Sequence, residues 1–104
     1  MAPGLDAFEE LCDDLLACNP DLERTQMMGM PSLKRNGKLI AGFVNAEDAM
    51  VFKLEDPEVH TQALELDGAH LFDPGGRGRP FKEWVVVPPA LAGRWPELAD
   101  KALA

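Results

Sequence analysis

Along residues 4–18, Leu5, Phe8, Leu11, Cys12, Leu15 and Leu16 share one side of a helical projection, and Asp6, Glu9, Glu10, Asp13 and Asp14 share the other. At 3.6 residues per turn the apolar set covers an arc of about 140°, which predicts an amphipathic helix. It stops at Asn19-Pro20, because proline disfavours a helical conformation in the residue before it and has no N–H to donate. Beyond Arg24 the helical period is lost. Residues 25–30 predict a short strand that Pro31-Ser32 interrupts or ends. Arg35-Asn36-Gly37-Lys38 then predicts a tight hairpin, since Asn-Gly accepts the positive φ that both central positions of such a turn require.

Residues 38–44 are apolar on both alternating faces, as in a central strand covered on each side or a strand end tucked beneath a loop. Gly42 within it makes room for a neighbouring aromatic ring or backbone. Residues 49–54 predict the next strand, with Met50, Phe52 and Leu54 on the core side. Asp56-Pro57-Glu58 is a helix start, combining a capping aspartate, a proline at the first helical position and an acid near the positive end of the dipole. That helix runs to about Leu66 on an inward stripe of Val59, Ala63 and Leu66, and Asp67-Gly68 ends it. Residues 69–72 and 83–87 predict two further strands around a Gly-rich loop, and Leu91, Trp95, Leu98, Ala99 and Ala102 recur at helical spacing, with the regular helix starting near Pro96. The predicted order is α-β-β-β-α-β-β-α, an α+β fold with a largely antiparallel five-stranded sheet.

A chain of 104 residues with 46% hydrophobic side chains suits one domain, residues 1–104, with a real core. The longest apolar runs, residues 84–91 and 39–44, fall far short of the roughly 18–20 residues a membrane-spanning helix needs. The first residues show no basic start followed by an apolar stretch, so no targeting peptide is expected and a cytoplasmic location is the expectation.

Charge sharpens the picture. The net charge is -8, and residues 1–22 hold six acids and no base. The helix face of Asp6, Glu9, Glu10, Asp13 and Asp14 repels phosphate backbones and suits a basic protein partner, unless it serves only as a solvated, solubilising surface. Its carboxylates point outward, without the burial that would separate their pKa values for acid–base catalysis, and no catalytic residue is expected. Opposite in sign is Gly75-Gly76-Arg77-Gly78-Arg79 with Lys82. Glycine N–H groups and arginine forks can hold a phosphate or carboxylate, although the Walker pattern is missing and a flexible strand connection is the plainer reading. Lys34, Arg35 and Lys38 join this patch only if the fold brings the two loops together.

Cys12 and Cys18, six residues apart on one helix, point about 240° apart with about 9 Å of rise, so reduced thiols are expected. His60 and His70 are isolated from them and from each other, which leaves no metal site and no cofactor to expect. Both histidines read as surface or boundary residues. At strand spacing Met28 and Met30 share a face opposite Met27, one side core and the other cover. Trp84 and Trp95 read as core anchors rather than stacking platforms in so acidic a chain.

Several strings together resemble the N-terminal domain of the TfoX family of bacterial proteins: Met27-Met28-Gly29, Asn36-Gly37-Lys38, Lys53, Phe72, and Trp84 with Val87-Pro88. The likeness spans roughly residues 5–103 and extends more distantly to the YjbR-like group. It implies a two-layer fold, similar in outline to type III secretion chaperones, with the sheet packed against helices, and it brings no catalytic residues. The function expected on this basis is a small non-enzymatic regulatory or adaptor domain that works through a protein partner or by self-association. The alternatives are a nucleic-acid-associated regulator of transcription or competence, which the net charge disfavours, and a small-anion or nucleotide binder at the Gly-Arg loop.

Overall fold

The computed structural model describes residues 3–27, 29–73 and 81–103. Helix α1 (Pro3–Cys18) leads into strands β1 (Leu22–Met27), β2 (Met30–Arg35) and β3 (Lys38–Val44), a 3-10 turn at Asn45–Glu47, and β4 (Ala49–Lys53). Helix α2 (Pro57–Leu64), strands β5 (His70–Phe72) and β6 (Phe81–Val87), a 3-10 segment at Pro89–Arg94 and helix α3 (Trp95–Leu103) complete the chain. The strands form one sheet in the order β1-β2-β3-β4-β6-β5, and every neighbouring pair is antiparallel. The α+β class stands, with six strands among the described residues where the sequence pattern predicts five.

The extra strand comes from residues 22–35, which form a hairpin of their own in place of a single interrupted strand. Gly29 at φ +78° lets the chain reverse there, without the Asn-Gly signal that marks the next turn. Pro31 does not break β2 because the β2–β3 ladder begins only at Ser32↔Gly42, so the missing N–H is not needed on that side. The hairpin register sets Met27 across from Met30, so these two positions share a face, contrary to the alternation expected of one continuous strand. Met28 lies outside the described residues. Asn36 and Gly37, both at positive φ, make the predicted tight turn. Gly42 makes room for neither an aromatic ring nor a strand backbone alone: a Cβ there would lie 2.9 Å from Ser32 Oγ and 3.4 Å from the Pro31 carbonyl.

All three helices pack on one face of the sheet. Phe8, Leu11, Cys12 and Leu15 of α1, Ala63 of α2, and Trp95, Leu98 and Ala99 of α3 bury against Leu22, Leu33, Ala41, Phe43, Met50, Phe52, Val85 and Val87. Phe8 and Phe43 stack with ring centroids 5.4 Å apart, a contact worth more than its area alone. On the other face a smaller cluster, Val44, Ala49, Val51, Phe72 and Val86, is flanked by half-buried Met30 and Trp84. Helix α2 starts as predicted, with the Asp56 carboxylate accepting the Glu58 N–H at 2.9 Å.

The N-terminus of α1 is tied to the β3–β4 connection. Asp48, itself in the left-handed region at φ 52°, accepts the Gly4 N–H at 3.1 Å and places a carboxylate at the positive end of the helix. Gly4 packs so closely that a Cβ on it would overlap the Asp48 backbone carbonyl. Gly4→Ala should therefore destabilise the domain by about 1–3 kcal/mol in urea unfolding, through forced separation of α1 from this turn. Asp48→Asn, which keeps an acceptor and tolerates positive φ, should cost less than Asp48→Ala.

Candidate protein-docking groove

The groove begins with a tryptophan. Trp95, 1% exposed, opens α3 and donates its indole N–H to the Val87 carbonyl at 3.3 Å, so the polar edge of a buried ring is satisfied by the end of β6. This seat holds α3 and the preceding 3-10 segment beside α1 without closing the gap between them. The resulting groove, about 410 Å³, has an apolar floor that includes Leu11, Leu15, Ala92 and Trp95. Its rims carry Glu10 and Asp14 from α1 and Asp100 from α3, and it ends at Cys18 and Asn19. Lining positions on α1 run from Ala7 to Cys18, a trough about 16 Å long at 1.5 Å per residue.

The acidic face divides in two. Glu9 turns toward β1, where Arg24 grips it with two hydrogen bonds of 2.8 and 2.9 Å. That guanidinium holds the Glu9 carboxyl below the ordinary carboxylate range. Glu10 and Asp14, one turn apart, face the groove, while Asp6 and Asp13 point to solvent. Among the described residues Glu10, Asp14 and Asp100 have no ion-pair partner, and Arg94 pairs with Glu97 at 3.0 Å on the side of α3 that faces α2. An apolar trough edged by three uncompensated carboxylates suits a ligand that is greasy on one side and cationic at its margins.

Of the basic residues singled out in the sequence, Arg35 is already engaged. Arg35 donates to Asp21 at 2.6 Å and to the Leu103 carbonyl at 2.7 Å, closing the C-terminal end of α3 where a cation is favoured. Asp21 is held below its usual pKa by this contact. Lys38 is exposed beside Arg35 and lines a shallow pocket of about 240 Å³ with Lys53 and Glu55. Lys82, also exposed, sits at the start of β6, where its carbonyl bonds to the His60 ring Nε2. The β2–β3 turn, the end of β4 and the start of β6 share one end of the sheet, so Arg35, Lys38 and Lys82 belong to the same pole. Arg77 and Arg79 lie outside the described residues. His70 bonds Glu47 at 2.9 Å through one ring nitrogen and the Gly68 carbonyl at 3.2 Å through the other.

Asp100, Ala92 and the groove-lining role of Trp95 escape sequence reasoning. Helical periodicity places Asp100 on the outer side of α3 but carries no information on which helix lies beside it. The two cysteines are free as expected, one buried and one exposed. Among the described residues no three His, Cys, Asp or Glu side chains gather as a metal site, and no helix is long and apolar enough to cross a membrane.

Burial pushes the Cys12 thiol up to about 12, so in the native protein only Cys18 should react promptly with a disulfide reagent, and Cys12 should react only on unfolding. A folded-state pKa above the unfolded one gives a stabilising contribution that is complete below the ordinary thiol pKa and disappears as pH rises through the folded value. The stability advantage over Cys12→Ala should thus shrink between about pH 9 and 12 in alkaline urea titrations. The Glu9–Arg24 pair has the opposite sign: its contribution is full above the ordinary glutamate pKa and fades as pH falls through the depressed value. Glu9→Gln should cost less than about 1 kcal/mol near neutrality, given the exposure of both partners, and nothing in acid. Comparison with protein-family models, with curated proteins and with solved structures finds no match for this chain.

Proposed function

We propose that this protein is a small non-enzymatic adaptor or regulatory domain, of the TfoX N-terminal-like kind and acting in the cytoplasm, that binds a basic amphipathic segment of a partner protein in the α1–α3 groove. The observation that carries this reading is the juxtaposition of an apolar floor with Glu10, Asp14 and Asp100, none of which has an ion-pair partner among the described residues. Burying Leu or Phe side chains of the partner over Leu11, Leu15 and Trp95 supplies affinity, and Lys or Arg at its margins supplies orientation and a fast encounter. The trough accommodates about three turns of helix, so anchors at i, i+3 or i+4, and i+7 would all find floor beneath them. The remaining acids of the chain, at a net charge of -8, add long-range attraction for the same partner and repulsion for nucleic acid.

A synthetic Leu/Lys amphipathic helix labelled with a fluorophore provides the test. Anisotropy titrations should give binding that weakens with added salt, and the triple variant Glu10→Lys, Asp14→Lys, Asp100→Lys should lose affinity at least about tenfold, equivalent to about 1.4 kcal/mol. Asp6→Lys with Asp13→Lys, equally acidic in origin but outside the groove, should change it by no more than about threefold. Equal losses in the two variants would replace docking with nonspecific charge attraction.

A further inference from the structure

The two edges of the sheet are unlike. Strand β5 has three residues and a register shift between Leu71 and Phe72, a short, irregular edge of the kind that resists further pairing. Strand β1 has six residues, pairs with β2 in unbroken register, and has no strand against its outer side among the described residues. Charged side chains often guard such an edge. On β1 the two charged residues are drawn aside: Glu23 toward Lys34 at 3.5 Å on one sheet face, and Arg24 into its two hydrogen bonds with Glu9 on the other. The Leu22 N–H is already taken by the Asn19 carbonyl at 3.0 Å, so the regular template for a further strand is the stretch from Glu23 to Met27.

We infer that β1 pairs antiparallel with β1 of a second copy, joining two sheets into one continuous sheet about a twofold axis at Thr25. Any register centred on a residue keeps the helices of both copies on the same side, because directly opposite residues must share a face, and two of these registers pair most of β1. One centres on Arg24 and sets two guanidinium-bearing residues opposite each other. The other centres on Thr25, sets Arg24 opposite Gln26 of the second copy, and pairs two threonines across the axis, a combination that favours cross-strand packing. An unrelated extended peptide would gain the same backbone bonds, but only a second copy supplies this register twice over. The surface is separate from the α1–α3 groove, which both copies would keep open.

Sedimentation equilibrium of the whole chain, from micromolar to millimolar, should show a mass rising from 11.4 kDa toward twice that value. Thr25→Lys, which sets two like charges across the axis, should remain monomeric over the same range while keeping the native circular dichroism spectrum. In a Cys18→Ser background, Thr25→Cys should form a covalent dimer on mild oxidation, since Cβ atoms of opposed residues lie within disulfide reach, and Gln26→Cys should not. A chain that stays monomeric throughout overturns the proposal, as does a dimer that Thr25→Lys leaves intact or crosslinking that favours position 26 over 25. Should Thr25→Lys fail to fold, the cysteine pair decides.

Discussion

Every helix position in this domain depends on burying apolar side chains against a single face of the sheet. Phe8 and Trp95 are the two largest contributors, and both are essentially inaccessible to solvent. Phe8 anchors α1 to the sheet through its contact with Phe43 of β3, and Trp95 ties the start of α3 to the end of β6 through the Val87 carbonyl, with the body of α3 over β3 and β4. The distance left between the two helices follows from those two seats. A smaller residue at 95 would leave an indole-sized void and free α3 to move toward α1, so the same contact that builds the core also keeps the groove open.

Electrostatics then sort the acids of the domain by what lies within reach. Glu9, Asp21 and Glu23 each find a cation on the neighbouring strands, while Asp48 caps a helix and Asp56 caps another. These contacts are individually small where they are exposed, yet together they fix which carboxylates are already used. Among the described acids without an ion pair, Asp6, Asp13, Glu58, Glu65, Asp67 and Glu83 are spread over other surfaces, whereas Glu10, Asp14 and Asp100 lie together along the α1–α3 groove beside apolar side chains. The basic pole is the converse case: its best-placed arginine is spent on an aspartate and on the last turn of α3.

Local chemistry and tertiary geometry also divide the labour at the sheet margins. The bulge beside Leu33 leaves Ile40 as an extra residue in β3, a source of added twist at the sheet's end, and the break beside Leu71 shortens β5. No comparable irregularity interrupts β1. The two margins thus differ in regularity, a distinction that composition does not report.

Helix α1, its halt before Pro20, the Asn36-Gly37 turn and the Asp56 cap were all legible in the residues themselves, because each rests on interactions within a few positions of the chain. The core stripe of α3 was legible for the same reason. The hairpin at Gly29 was not, since a single glycine permits a reversal without specifying one, and Pro31 argued locally for a break that the ladder register made harmless. Sequence alone determined that the domain would be α+β, acidic and built on antiparallel strands. Which carboxylates stand free, where Arg35 is spent, and that α1 and α3 flank a groove are outcomes of contacts between residues dozens of positions apart, and only the packing of the whole chain decides those.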